Sequence, residues 1–367
     1  MKLLFFLFFS VLIFSTAFAS DKPVKSKGQK IFKILWSEGL KPGPSKKRYF
    51  PEISSPISDG VHTFVGTHSG YFYAVNKNGA IDWKFNSNGP IASGPHADGN
   101  SVFFGNNKGF LYALDGASGK QAWSNYVGAE ILAAPISDGS SLYVVTSSRE
   151  VYSFDKDTGK QKWVAYVKGF DSKITMRGHA GLSLDGSRLY AAFSDGQIAS
   201  ISLEGDLIWS KQYDQGNSQF RDIDGDLLVD DRFIYASGYF GEVAQIAKST
   251  GHTVWKKSYS TGATMGFDED SLYLTTTDGK VIALSRSTGL RKWELNLHAG
   301  TLSSPLVFND YVLVATELGR LYVMDRSKGE ILQDIGLSGG AIGNLTMNGP
   351  DIYLLTASAR LYAIRAN

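Results

Sequence analysis

The sequence predicts an all-β protein, an eight-bladed β-propeller of four-stranded antiparallel blades closed into one ring. Three observations carry this. A strand-turn pattern recurs eight times at a period of about 40 residues, each copy holds short alternating runs between glycine turns, and a Trp recurs at one place in the copies. A unit of that length cannot bury its own apolar face, so it must stack on its neighbours.

Taken in order, residues 1–19 read as a cleaved signal peptide. Lys2 supplies the positive start, Leu3 to Phe14 the apolar run and Ala17-Phe18-Ala19 the small-x-small cleavage signal, with cleavage before Ser20. The apolar run is short for a membrane helix. Residues 20–30, with Lys22, Lys25, Lys27 and Lys30, read as a flexible basic tether, and 31–367 as a single propeller domain. A second basic stretch, 41–50, reads as an exposed loop between the first strand and the first blade.

Within each copy, as in residues 92–124 and 133–164, a short apolar entry precedes an Asp-Gly turn or its like, an alternating run, a polar turn, a second alternating run, a further turn and Trp. Asp-Gly, Ser-Gly and Thr-Gly supply the positive backbone angles of tight hairpins, so each copy is four short strands. Trp83, Trp123, Trp163, Trp209, Trp255 and Trp293 share one position on the last strand, and are read as packing residues between blades. Trp36 precedes the first copy, while the last copy ends at Arg360 to Arg365 with no Trp strand after it. Residues 31–37 are therefore expected to supply the missing fourth strand of the last blade and latch the ring, which removes exposed sheet edges.

Composition narrows the function. A formal net charge of +2 gives no basic field for nucleic acid. An exported chain with no cysteine has neither disulfides nor a cysteine to carry a lipid, and relies on its core and its closed ring.

Repeat spacing points to a site. Equivalent positions 56, 95, 135, 181, 227, 266, 305 and 344 lie 39, 40, 46, 46, 39, 39 and 39 residues apart. The extra residues fall after the Trp strands of blades three and four, in 164–181 and 210–226. In a propeller such connections leave one face, so two adjacent long ones form one raised surface, where binding residues concentrate. Ile174, Met176 and Phe220 offer apolar contact there, Arg177 and Arg221 planar donor forks, Asp222 and Asp224 carboxylates. The alternative is that Arg177 pairs with Asp222 or Asp224 and merely ties the two loops together.

The core from Gly109 to Trp123, of the form G-x-L-Y-A-L-D-x-x-x-G-x-x-x-W, resembles the quinoprotein-like propeller repeat, and the chain from Ile31 to Asn367 resembles the BamB family of outer-membrane assembly factors. That family's first long loop carries an apolar-x-apolar-Arg-Gly motif, matched by Ile174-Thr175-Met176-Arg177-Gly178. Its second carries Arg before Asp-x-Asp, matched by Arg221-Asp222-Ile223-Asp224, with the Arg closer to the acids here. The resemblance implies that Ile174, Met176, Arg177, Asp222 and Asp224 contact the periplasmic domains of BamA, the barrel subunit of the assembly complex. It further implies a non-catalytic scaffold without cofactor or metal, a monomer within its complex, with unfolded outer-membrane chains as a second client. Family members are ordinarily lipoproteins. Ser20 stands where the modified cysteine is expected, so the implied location is the periplasm, held to the outer membrane through a partner.

Other classes are less well served. Another periplasmic complex, binding protein or glycan, stays open. A quinone-dependent dehydrogenase resembles the same ring but uses a vicinal Cys pair, and this chain has no Cys. The six histidines are scattered, and His62 and His68 read as turn or surface residues. Asp222 to Asp226 resembles a calcium loop, yet Leu227 and Phe233 stand where an EF-hand needs Gly and Glu, leaving a non-standard site as the alternative for the acids.

Overall fold

The computed structural model describes residues 26–40, 52–169, 181–213, 223, 225–238 and 241–367. Its strands form eight four-stranded antiparallel sheets. Blade one, typical of seven, takes Ile57–Ser58, His62–Gly66, Tyr71–Asn76 and Ile81–Asn86 from the inside outward. Blade eight takes Thr346–Asn348, Asp351–Leu355 and Arg360–Ala366, then receives Phe32–Gly39 as its outer strand. The predicted latch is thus present and runs on to Gly39, antiparallel from Phe32 opposite Ala366 to Gly39 opposite Arg360.

The antiparallel order gives the disc two faces. Connections between blades and the turns joining second to third strands leave on one, the connection face; the other two turns of each blade leave on the opposite, turn face. The middle strands were expected to alternate, but those such as His62–Gly66 and Ser141–Val145 are buried throughout. Each blade is packed on both sides by a neighbour, so neither face of its centre meets water. The core accordingly divides into eight clusters, one per blade junction. Between blades three and four, for example, Tyr143 and Val151 meet Leu189, Phe193 and Ile201.

The Trp positions act between blades, as expected. The indole of Trp83 donates to Gly116 O (3.0 Å) in the next blade, that of Trp123 to Lys156 O (3.0 Å), and that of Trp163 to Leu203 O (2.8 Å). Trp209, Trp255 and Trp293 do the same to Lys248, Arg286 and Arg326. Each ring lies on the glycine that ends the accepting turn. At Gly119, with φ +69°, a Cβ would stand 2.6 Å from Cδ2 of Trp83. This explains the repeat's Asp-x-x-x-Gly. Asp115 Oδ1 accepts from the Ser118 amide (2.8 Å) and hydroxyl (2.6 Å) to shape the turn, and Gly119 leaves room for the indole. The side chain at the second position of this turn often returns the contact: Lys156 Nζ reaches Asp98 of the preceding blade at 2.8 Å and Lys248 Nζ reaches Asp185 at 2.6 Å.

Blade seven departs from this pattern because of the latch. Its outer strand, Ile331–Gly336, carries Gln333 at the Trp position. Blade eight has no turn between its third and outer strands, since chain ends meet there, and so no glycine to receive an indole. Gln333 Oε1 instead accepts from the amides of Ile31 and Phe32, both at 2.8 Å, and its Nε2 donates to Phe32 O at 2.7 Å. Residues 26–30, within the stretch expected as a tether, follow the same strand: Lys27 N donates to Ile331 O (3.1 Å) and Gln29 N to Leu332 O (3.0 Å).

A buried acid marks the junction of blades eight and one. The Glu52 amide donates to Ala357 O (3.2 Å), and Glu52 Oε2 accepts from the His68 amide at 2.6 Å. Burial lifts its carboxyl to about 7, outweighing the bond from His68. The folded chain therefore keeps a proton that the unfolded chain loses first, and stability that is complete below the ordinary glutamate range is lost as pH rises toward 7. Glu52→Gln should remove that slope, leaving a difference of about 3 kcal/mol between pH 5 and pH 8 in the parent that the variant lacks. Urea unfolding at both pH values measures it; equal slopes would show that Glu52 does not titrate in this range.

Candidate docking platform

Two connections stand out on the connection face. One links the outer strand of blade three, Gln161–Tyr166, to the inner strand of blade four, Gly181–Leu184; the next links Leu207–Gln212 to Leu228–Val229. Elsewhere the chain passes more directly, as from Asn86 to His96. The predicted contact residues Ile174, Met176, Arg177, Asp222 and Asp224 lie outside the described residues, as do Phe220 and Arg221. The described residues around them form the roots of the two connections.

Ile223, between the two predicted acids in sequence, is fully buried in the cluster of blades four and five and bridges to Gly238. Gly225, at φ +91°, passes so close to blade six that a Cβ would lie 2.7 Å from Thr264 N, and the Asp226 amide bonds Thr264 Oγ1 at 3.0 Å. The second connection thus rejoins the ring under tight constraint.

The departing roots meet a polar network that sequence reasoning missed. Most blades have glycine with positive φ where second and third strands turn, including Gly70, Gly109, Gly196, Gly279 and Gly319; blade three has Arg149, at φ +70°. A side chain in that region costs about 1–2 kcal/mol, so something must hold it. Arg149 Nη1 lies 2.5 Å from Asp195 Oδ2, whose residue is 4% exposed, and the guanidinium stands 4.6 Å from the Phe193 ring centre. Its Nε donates to Val167 O (2.9 Å) and its Nη2 to Gln197 Oε1. Gln197 in turn donates to Lys168 O at 3.1 Å. On the other side, Gln212 Nε2 donates to Asp195 O at 2.6 Å, and the Tyr213 amide to Gly196 O at 2.7 Å. Tyr213 is buried and its hydroxyl has no hydrogen-bond partner among the described residues; burial, with a smaller push from Glu242, raises its pKa well above the usual phenol range. The signal was legible in the repeat: an Arg where most aligned copies carry Gly and blade eight carries Ala359, itself at φ +59°.

Beside the first root the rim is aromatic. Tyr126 and Tyr166 are each 65% exposed, and Phe110 packs on Tyr126 at 5.0 Å between ring centres. At the channel mouth lies a cavity of about 600 Å³ whose lining includes Ser55, Pro95, Met265 and Asn344; Asp226 is its single charged residue among those described. No group of three or more potential metal ligands occurs among the described residues. His62, expected at a turn or surface, is buried instead and pairs with Asp82 at 2.9 Å, because it faces inward on a middle strand.

Fold and repeat together define a quinoprotein-like propeller with two adjacent long connections on one face. A family model described as outer membrane protein assembly factor BamB matches residues 68–295, more than half the chain, and the chain belongs to that family. The BamB of Legionella pneumophila (strain Paris) is 31% identical over 176 residues, 46% of each chain. That of Shewanella oneidensis is 27% identical over 199 residues, 52% of this chain and 50% of the relative. The chain thus spans about half the length of the curated relatives it matches. Among solved structures, BamB from Moraxella catarrhalis aligns over 91% of this chain and 100% of its own, with TM-score 0.78 and 24% identity. A quinohemoprotein alcohol dehydrogenase from Comamonas testosteroni aligns over 93% and 78%, with TM-score 0.73 and 12% identity. Both likenesses speak to the fold.

Proposed function

We propose that the chain is a non-catalytic periplasmic scaffold of the machine that assembles outer-membrane β-barrels, and that its raised sector docks the periplasmic domains of BamA. The observation that carries this is the coincidence of family membership with two adjacent long connections on one face. Ile174 and Met176 supply the apolar anchor, and Arg177, Asp222 and Asp224 fix orientation by charge. Unfolded outer-membrane chains are a second client in this reading, and membrane contact comes through the partner. A chain without cysteine, and a channel mouth whose described lining offers one carboxylate and no cation, favour binding over quinone chemistry.

Calorimetry of residues 20–367 with the periplasmic domains of its own BamA tests this. Saturable binding is expected, weakened by about tenfold or more in Arg177→Glu. Absence of binding by the parent chain would overturn the assignment.

A further inference from the structure

We infer that the outer strand of blade three, Gln161–Tyr166, is an acceptor edge that takes an extended polypeptide with apolar residues at alternate positions as a fifth strand. This deepens, and rests on, the reading of the chain as a scaffold with unfolded clients. The strand pairs only with Glu150–Asp155, and its outer side makes no backbone bond among the described residues. Such an edge is a template for another chain unless something blunts it. Val164 and Tyr166 lie on one face of the sheet, opposite Tyr152 and Glu150 on the strand inside. The Glu150 carboxylate accepts from the Tyr152 hydroxyl at 3.0 Å. An added strand would set its own alternate side chains about 4.5–5.5 Å from Val164 and Tyr166, which selects a chain with apolar residues at period two, as barrel strands have. The molecule shows such a contact at blade seven, where residues 26–30 lie along Ile331–Gly336 and the amides of Lys27 and Gln29 donate to Ile331 O and Leu332 O.

The other blades show what an unused edge looks like. Every outer strand carries a bulge in its first half, which stops an added chain from pairing along its whole length. In blade three, regular pairing runs from Trp163 to Tyr166. Within that regular half the place of Val164 is taken by a charge in four blades, as Lys84, Lys256, Glu294 and Asp334, and by Ser124, Ser210 and Ser37 in the rest. Charges on an edge deter an apolar strand. The place of Tyr166 is taken by Asn, Gln, Ser or Gly in every other blade except blade two, which has Tyr126. Blade three alone is apolar at both, with Val164 48% and Tyr166 65% exposed. Since seven blades pack without this pair, the fold does not require it.

The test titrates residues 20–367 with a peptide of about ten residues, alternating Thr with Val and Tyr and carrying Lys at both ends, and reads binding by calorimetry. One site per chain is expected. Val164→Lys and Tyr166→Asn, which give blade three what blade one carries at Lys84 and Asn86, should melt as cooperatively as the parent and bind about tenfold or more weakly. A peptide N-methylated on the amides that face the edge should lose a similar factor, because it cannot donate to the strand. Ser124→Val, beside Tyr126, should give blade two the same pair and raise the stoichiometry to two. The inference is overturned by no binding to the parent, by equal binding of the N-methylated peptide, or by equal binding of a peptide with the same residues in blocks. A single site in Ser124→Val would also overturn it. Calorimetry with the BamA periplasmic domains reads the docking role separately. BamA binding without peptide binding removes the edge and keeps the scaffold. Peptide binding without BamA binding keeps the edge as a strand acceptor and removes its place in assembly.

Discussion

A chain lacking residues 1–39 should lose cooperative melting altogether, more than any point substitution could achieve. Phe32–Gly39 is the whole outer strand of blade eight, and Phe32, 2% exposed, meets Phe308 and Tyr311 edge-on at 5.6 and 5.8 Å. Its removal would bare the edge of Arg360–Ala366, unseat Gln333 and open the junction with blade seven. Native domains rest on about 5–15 kcal/mol, and losing one strand of a closed ring takes a comparable amount. Since the latch is held by non-covalent contacts, a peptide of residues 26–40 added in trans should restore the melting transition. Circular dichroism against temperature, with and without peptide, reads both effects. An unchanged transition in the shortened chain would mean that the ring does not depend on its latch.

The second large effect is expected at Trp123. Its indole joins blades two and three through Lys156 O and lies over Gly159, where a Cβ would stand 2.6 Å from Cδ2. It also packs near Phe103 and Phe154, at 5.9 and 6.4 Å between ring centres. Trp123→Ala removes this volume and leaves a cavity that rigid neighbouring strands cannot fill, costing about 3–5 kcal/mol. The midpoint of urea unfolding should fall accordingly. A shift within the scatter of surface substitutions would show that the indole is dispensable at this junction.

Much of the fold was legible because period, turn chemistry and Trp position agree with one another. The count of blades followed from the copies, and the latch from Trp36 standing alone at the front. Gln333 could have strengthened that reading, since the copy before the seam is the one that lacks Trp, but its reason appears only when the chain ends are seen to replace a turn. The sector of two long connections was legible from spacing alone. Its supports were not: Asp195 and Gln197 look like ordinary turn residues, and their role depends on carbonyls of Val167 and Lys168 that only the ring brings near. Arg149 was visible as a departure from glycine, yet its partner lies in the next blade. His62 was misread because one histidine on an apolar middle strand looks the same whether it pairs with Asp82 or faces water.

The seam sits where blades seven and eight meet the entering chain, and the two long connections link blades three to five, about half a turn of the ring away by either route. Fraying is easiest at a chain end, where local opening requires least free energy. Here the chain end lies as far from the two long connections as the ring allows. Local fraying of the latch is therefore expected to leave the roots of the two long connections undisturbed for as long as the ring stays closed.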